Sequence, residues 1–525
     1  MLAFTVLAFL IRIYTLTRSG YLTGVTEYDD GVYLGGAIRL LEGALPYRNW
    51  SYVQPPGILL LMTPVALLTK FTTTTHALAA ARLLTVAAST ACVPLVGSLV
   101  RYKGTLVTLV ACGILAVYPD DITTAHTLIL EPWMNLLLLI GVCLAFRQGR
   151  LASSRLLLWS GVVIGVAGAV KYWAALPALM LLVVCLLTTD ERRRRTVSYV
   201  IGLAVGFLVP VLPFALFAPV QFVRSTLLDQ AARAGSYVPR SMRLAHITGL
   251  IDFLNAKAQL TLSAGTHSLF ASGGAAATPG TSAGLLPYLV TLVVIVIIVG
   301  GYLLQPGRLS PLETFAIGSA VLAIAAVLLY SAFFYHYPDF AAPWIAIMAG
   351  CAFGALTTGP LSDWLTRAAG SAARIRQGLI GVLALALVLL AAFQAREISG
   401  LAAPDIYPDQ AAIPAGSCVV TDQISMAIAA NRFTSARGGC PDVMDSLAQT
   451  LTLSNGVSVQ GGAASLPHVV ASWRAIFARA DYVWLSPNNA RRIPWTPGLT
   501  SWFDTHFVQV PAGGGLGRVY KRISA

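Results

Sequence analysis

Acidic and aromatic residues cluster just after the first apolar segment of the chain, in the sequence Glu27-Tyr28-Asp29-Asp30-Gly31-Val32-Tyr33. Charged residues are scarce here, because 56% of the residues are hydrophobic and only 11% are charged. Carboxylates are costly in lipid, so these acids are expected to face water, protein or substrate. A carboxylate at a helix start is kept ionised by the peptide dipoles, which suits a general base acting on a hydroxyl group.

The same acids also have a purely structural interpretation. Leu34 and Ile38 recur at helical spacing, and Gly43 is a suitable end for that helix. Asp29 or Asp30 then falls at the N-cap position, where a carboxylate accepts hydrogen bonds from free backbone N–H groups. This segment alone does not separate capping from catalysis.

The composition predicts a polytopic α-helical membrane protein. The chain has 525 residues, only 22 of them acidic, a mean hydropathy of +0.73 and long continuous apolar segments. Only helices and closed barrels satisfy their backbone hydrogen bonds in lipid, and continuous apolar segments favour helices. The net charge of +13 is explained by basic residues in cytoplasmic loops, so no nucleic-acid partner is predicted.

Hydropathy and the positions of Lys and Arg together predict about eleven transmembrane helices within residues 1–396. The first apolar segment is predicted to be a retained helix that runs outward. External loops are predicted at residues 18–79, with an interfacial or re-entrant helix at 57–69, and at residues 218–283, where 273–284 has a flexible composition. The protein is thus expected in the plasma membrane, with its carboxy terminus outside the cytoplasm.

Residues 397–525 have the composition of a soluble domain. Short strand-like segments alternate with helical patterns, which predicts a small extracytoplasmic α/β domain, and residues 507–521 resemble a β-hairpin. Cys418 and Cys440 are candidates for a disulfide if this domain lies outside the cell, and two free thiols are the alternative. The other five cysteines lie in apolar segments and are expected to pack in the core.

Further polar residues map to the outer side of the predicted membrane. Arg82 and Glu131 lie at the outer ends of the second and fourth predicted helices, Lys171 lies at a hairpin tip, and His336 precedes the tenth helix. With the acids of the first external loop they predict one external pocket. Each also has a structural alternative: Arg82 and Lys171 can extend to the interface, Glu131 can cap a helix, and His336 can be a packed ring.

These residues, in this order, resemble the GT-C superfamily of integral-membrane glycosyltransferases, such as the protein O-mannosyltransferases and the lipid A aminoarabinose transferases. Members carry an acidic pair, a Tyr three residues later and a Pro-Pro turn, matched by Asp29-Asp30, Tyr33 and Gln54-Pro55-Pro56. They also carry an Arg at the start of the next helix, matched by Arg82, and an acid at the end of the fourth, matched by Glu131. The resemblance covers residues 1–350, and the remainder has the style of actinobacterial cell-envelope enzymes.

The chain departs from this pattern at three positions. It has Asp30 where Glu is common, Glu131 where Asp is common, and Gln54 where the aminoarabinose transferases have Lys. These differences leave the sugar donor open, with mannose and arabinose foremost.

The resemblance implies inverting transfer of a monosaccharide from a polyprenyl-phosphate donor to an extracytoplasmic glycan, glycolipid or protein. It implies that Asp29, beside Asp30, is the general base. The remaining candidates contact the substrates: Arg82, Lys171 and His336 the donor phosphate, and Tyr33, Gln54 and Glu131 the sugar or acceptor. No cofactor is required, and a divalent metal is left open because related enzymes differ in using one.

Two other functions are open at this point. A transporter or lipid flippase of envelope precursors predicts repeats and broken helices that meet at the membrane midplane, and the sequence shows no such symmetry. A non-enzymatic envelope-assembly protein would place its function in the carboxy-terminal domain and make the acids dispensable.

Overall fold

The computed structural model describes residues 1–231, 238, 240–248, 286–305, 307–356, 372–511 and 516–523. Among these residues, four helices are long and apolar enough to cross a membrane, or five if one bent pair is a single span, and seven further apolar helices have 10–17 residues. The structure thus has the polytopic helical architecture that hydropathy predicts. Residues 249–285, which include most of the second predicted external loop and its segment 273–284, lie outside the described residues.

Each of the predicted transmembrane helices has a helical counterpart. The helices up to residue 399 are α1 (Leu2–Leu16), α2 (Asp29–Leu41), α3 (Gly57–Ala66), α4 (Thr74–Val100), α5 (Thr105–Ala116), α6 (Pro119–Ala125), α7 (Leu130–Ala145), α8 (Ser154–Val170), α9 (Ala175–Leu187), α10 (Arg192–Phe217), α11 (Pro219–Val223), α12 (Asp229–Ala231), α13 (Arg240–Ile247), α14 (Leu286–Leu303), α15 (Pro311–Leu329), α16 (Ala342–Leu356) and α17 (Ala372–Ser399). A short ribbon of β1 (Phe146–Arg147) and β2 (Arg150–Leu151) joins α7 to α8.

The start of α4 differs from the hydropathy prediction of about residue 80. Thr73 is the N-cap, and its side-chain oxygen accepts a hydrogen bond from the backbone N–H of His76 (3.2 Å). Such a cap stabilises a helix start among polar residues, which a hydropathy window does not detect. The first turn of α4 therefore projects beyond the apolar segment.

The start of α2 also differs from the prediction. Tyr28 occupies the N-cap position and no side chain caps the helix, so the predicted capping role of Asp29 or Asp30 is wrong. Both acids lie in the first turn instead, where the helix dipole favours negative charge. The helix ends as predicted, before Gly43, whose φ is +86°.

Glycines allow α8 and α10 to pack closely. Gly161 and Gly165 of α8 and Gly202 and Gly206 of α10 line their contact, and a Cβ atom at any of them would meet backbone atoms of the other helix. Small residues spaced four apart permit such close approach in lipid. The contact holds the end of α8, directly before Lys171.

The carboxy-terminal residues form a mixed four-stranded sheet with strand order β3-β4-β6-β5, in which only β3 and β4 are parallel. The strands are β3 (Val419–Thr421), β4 (Tyr482–Leu485), β5 (Phe507–Gln509) and β6 (Arg518–Arg522), and the helices are α18 (Tyr407–Ala412), α19 (Ile424–Ala429), α20 (Ser446–Leu453), α21 (Pro467–Phe477) and α22 (Pro497–His506). The antiparallel β5 and β6 form the predicted hairpin. A disulfide joins Cys418 to Cys440, directly before β3.

This carboxy-terminal unit packs on α2 and on the start of α4. Gly31 of α2 lies against the backbone of Ser425, and a Cβ atom at Gly31 would collide with it. The Thr74 hydroxyl donates a hydrogen bond to the carbonyl oxygen of Ile428 (2.7 Å). The unit therefore borders the helix that carries the acidic pair.

Candidate active site

Three residues that the sequence singled out separately come together around one carboxylate. Lys171 Nζ and His336 Nδ1 both contact Glu131 Oε1, the latter at 2.7 Å. Glu131 begins α7, Lys171 follows α8, and His336 lies in the loop 330–341 between α15 and α16. All three side chains are buried, so the structure brings together three of the residues of the predicted pocket, while the pocket as a whole stays a prediction.

The surroundings of this cluster hold the Lys171 ammonium in place and leave one carboxylate oxygen of Glu131 open to a donor. Lys171 Nζ lies over the rings of Trp173 (4.9 Å) and Tyr337 (4.6 Å), which hold the ammonium by cation–π attraction. The second oxygen of Glu131, Oε2, is buried and has no hydrogen-bond partner within the described residues. A buried acceptor left in this way costs free energy, and a donor group from a bound substrate would satisfy it.

Asp30 and Arg82 form a second, fully buried ion pair. Arg82 Nη2 donates to Asp30 Oδ2 (2.5 Å) and to Thr26 Oγ1 (2.9 Å), and Nη1 donates to the carbonyl oxygen of Tyr21 (2.8 Å). Asp30 Oδ2 also accepts a hydrogen bond from Thr127 (3.0 Å). The Asp30–Arg82 pair therefore ties α2 and α4 to the segment before α2, and through Thr127 to the segment before α7.

Replacing Arg82 by Leu is expected to destabilise the protein by about 3–5 kcal/mol, because it leaves Asp30 buried without its counter-charge. The apparent free energy of unfolding in detergent measures this. Arg437→Leu is the control, since the Arg437–Asp481 pair (2.9 Å) is largely exposed and should contribute under about 1 kcal/mol. Equal losses in the two variants would show that the buried pair is not a structural anchor.

Glu27 and Tyr335 belong to the site although the sequence did not identify their roles. The Tyr335 hydroxyl donates to Glu27 Oε2 (2.6 Å), and the Tyr28 N–H donates to Glu27 Oε1 (2.8 Å). Tyr335 directly precedes His336, so one short segment contacts both the acids before α2 and the Glu131 cluster. A lone Tyr carries no local signal of such a contact, which joins residues 308 positions apart.

Asp339 anchors this segment. Its Oδ2 accepts a hydrogen bond from Thr124 (2.8 Å), and its backbone carbonyl accepts one from Asn135 Nδ2 (2.9 Å). Thr124 lies on α6, and Asn135 lies on α7, the helix whose first turn contains Glu131. Asp339 therefore anchors the loop 330–341 and holds Tyr335 and His336 in position relative to Glu131.

Asp29 is the partly exposed member of the acidic pair, in contrast to the buried Asp30. Its Oδ2 lies 3.5 Å from the Tyr33 hydroxyl, one helical turn further on. The carbonyl oxygen of Gln54 accepts a hydrogen bond from Tyr47 (2.5 Å). The structure thus places Tyr33 beside Asp29, and the substrate roles of Tyr33 and Gln54 stay predictions.

Burial, with the nearby charge of Asp29, raises the pKa of Glu27 from 4.5 to about 8. Between these values the folded protein binds the proton that the unfolded chain has lost, so stability falls as pH rises through this window. Glu27→Gln mimics the protonated group. We expect equal thermal stability at pH 4, below this window, and a gain that grows through the window to on the order of 1–3 kcal/mol at pH 9, allowing for the partial exposure of Glu27.

Thermal unfolding of both proteins between pH 4 and 9 measures this gain. Glu191→Gln, at an exposed position, is the control and should show no such trend. A stability difference between Glu27→Gln and the parent that is the same at every pH would contradict the raised pKa.

Among the described residues, no group of three or more His, Cys, Asp or Glu side chains is arranged to hold a metal ion. The use of a divalent ion therefore stays an open question for the assay.

Comparison by sequence finds no match, either with a protein-family model or with a curated protein. Comparison of the fold with solved structures does find matches. ArnT from Cupriavidus metallidurans, bound to undecaprenyl phosphate, matches with a TM-score of 0.59 and 13% identity, over 100% of this chain and 98% of its own. An Archaeoglobus fulgidus oligosaccharyltransferase, tethered with an acceptor peptide, matches with a TM-score of 0.54 and 12% identity, over 100% of this chain and 74% of its own.

The match with ArnT extends over the helical part and the carboxy-terminal unit, since it covers the whole chain. The chain therefore shares a polytopic helical fold with ArnT, one of the two matched transferases, as the resemblance of its acidic motif predicts. At these identities the likeness establishes the fold and leaves the chemistry to be argued from the site.

Proposed function

We propose that this protein transfers a monosaccharide from a polyprenyl-phosphate donor to an acceptor hydroxyl outside the cytoplasm, with inversion at the anomeric carbon. One observation carries the proposal: the adjacent residues Tyr335 and His336 join Glu27, which lies near the charge of Asp29, to a buried cluster that contains Lys171. A base and a fixed cation close together are what displacement of a phosphate by a hydroxyl requires. ArnT, which has the same fold, is bound to undecaprenyl phosphate.

Asp29 acts as the general base. It is the acid of the pair that solvent reaches, whereas both Asp30 and its partner Arg82 are fully buried. Asp29 removes the proton from the acceptor hydroxyl as the oxygen attacks the anomeric carbon and the bond to the phosphate oxygen breaks. A single displacement of this kind inverts the configuration.

Lys171 and His336 receive the leaving phosphate, whose negative charge grows as the bond breaks. Glu131 holds both through one oxygen, so they are positioned before the donor arrives. Arg82 was also a candidate for this role. We assign it instead to positioning Asp30, because both of its terminal nitrogens are already bonded to protein atoms.

A transporter or flippase is the alternative function. A flippase moves a whole donor lipid across the membrane and needs no base beside a fixed cation. The arrangement of Asp29 and Lys171 favours transfer, while the acceptor, a cell-envelope glycan, glycolipid or protein, is left to experiment.

The decisive experiment is transfer in proteoliposomes. Polyprenyl-phosphate mannose and arabinose, with other polyprenyl-phosphate sugars, are offered with cell-envelope acceptor fragments, with and without a chelator. Release of polyprenyl phosphate and formation of a product with inverted anomeric configuration are the expected results. Flipping of labelled lipid in the same vesicles, without release of polyprenyl phosphate from any donor, would overturn the proposal in favour of the flippase.

A further inference from the structure

The carboxy-terminal unit holds the residue that precedes the acidic pair. The Tyr28 hydroxyl donates a hydrogen bond to Asp445 Oδ1 (2.8 Å) and lies 3.3 Å from Ser446 Oγ. The guanidinium of Arg492 lies over the Tyr28 ring, 4.2 Å from its centroid. Tyr28 is therefore bound both at its hydroxyl and at its ring face by residues more than 400 positions away.

The groups that hold Tyr28 are themselves rigid. Asp445 is the N-cap of α20, where its Oδ1 accepts a hydrogen bond from the backbone N–H of Ala448 (2.9 Å). Arg492 Nη1 pairs with Asp422 Oδ2 (2.9 Å), and the Asp422 carboxylate is fully buried and also accepts from Ser486. Because these side chains are fixed within the carboxy-terminal domain, the position of the domain determines the position of Tyr28.

Tyr28 lies between two acids of the candidate site. Its backbone N–H donates to Glu27, and Asp29 follows it as the first residue of α2. Among the described residues no side chain caps α2 at its own start. The contacts from Asp445 and Arg492 constrain this turn in addition to the buried Asp30–Arg82 pair.

We propose that Tyr28, Asp445 and Arg492 form a positioning clamp through which the carboxy-terminal domain sets the orientation of Asp29 and Glu27. The inference rests on the proposed glycosyltransferase function for its kinetic test. In this arrangement the domain is an integral part of the catalytic unit. The clamp residues act through Asp29 and do not touch the reacting atoms.

Tyr28→Phe removes only the hydroxyl and leaves the ring beneath Arg492. We expect kcat to fall about tenfold, since small displacements of a catalytic group are costly, with the KM for the donor changed less than twofold. Asp445→Asn keeps the acceptor oxygen and should retain the parent activity. Thr75→Val is the matched control, because it removes one hydroxyl hydrogen bond to the same domain (2.8 Å, to Ala429) at a distance from Asp29.

Hydrogen–deuterium exchange of residues 27–33 tests the clamp without any assay of transfer. Faster exchange is expected in Tyr28→Phe and unchanged exchange in Thr75→Val. Equal kcat values in the parent and Tyr28→Phe, or unchanged exchange in Tyr28→Phe, would overturn the clamp while the parent still transfers sugar. A parent protein that transfers no sugar would instead defeat the proposed function, and exchange alone would then decide the clamp.

Discussion

Asp29→Asn is expected to lower kcat for sugar transfer by on the order of 10²–10⁴-fold, the usual loss when a general base is removed. The substitution is isosteric and lies in the first turn of α2, so the fold should change little. The lost helix-dipole interaction is about 0.3–1 kcal/mol, which is small beside the loss of a base. Transfer in proteoliposomes and thermal unfolding, measured on the same preparations, separate the two effects.

Glu42→Gln is the matched control for Asp29→Asn. It removes a carboxylate just after the other end of α2, where Glu42 pairs with Arg39 (2.6 Å), away from the candidate site. We expect its kcat to stay within twofold of the parent. A threefold or smaller loss in Asp29→Asn would remove Asp29 from the role of base and direct attention to Glu27, which shares the same solvent-facing segment.

The helices and the gathering of Glu131, Lys171 and His336 follow from the sequence for the same physical reason. Apolar segments must span the bilayer, and polar residues at membrane depth must then collect at the helix ends or in a shared pocket. Three helix ends that face one side bring their polar residues together. The order of the segments along the chain was therefore sufficient to predict this cluster, without any knowledge of how the helices pack.

Contacts between residues that are far apart in the chain could not be predicted in this way. Arg12 lies in the middle of α1, where it pairs with Asp121 (2.8 Å) and donates to the carbonyl oxygens of Leu115 and Ala116. Tyr28 contacts Asp445 from 417 positions away. Such contacts depend on how helices and domains pack, and neither periodicity nor a local motif encodes the side chain that lies opposite.

The capping prediction for α2 failed for a related reason. A short polar residue before an apolar helical pattern is the usual signal for an N-cap, and Asp29 and Asp30 fit it. In the structure the buried Arg82 draws Asp30 into the helix, and Tyr28 at the N-cap position is held by the carboxy-terminal unit. Tertiary contacts thus override the local preference at the residues that the site requires.

Lys171→Met should produce the other large effect, a loss in kcat/KM of on the order of 10²–10³-fold, as found when one preorganised donor to a developing charge is removed. Methionine preserves the length and apolar contacts of the side chain beside Trp173 and Tyr337 but removes the ammonium. Of its partners among the described residues, the buried Glu131 then keeps His336 alone. Binding of polyprenyl phosphate, measured with the purified protein, should weaken in parallel.

Lys103→Met separates this loss from mere disruption of a buried ion pair. Lys103 Nζ pairs with Glu313 (2.7 Å), and that carboxylate is almost as buried as Glu131. Both substitutions leave a buried glutamate short of a cation, so both should lower thermal stability. Of these two variants, only Lys171→Met should reduce polyprenyl-phosphate affinity and transfer, because Lys171 lies in the cluster that Tyr335 and His336 join to Glu27, directly before α2. Similar losses of polyprenyl-phosphate binding in the two variants would assign Lys171 a structural role. The proposed mechanism would then lack this cation for the leaving phosphate.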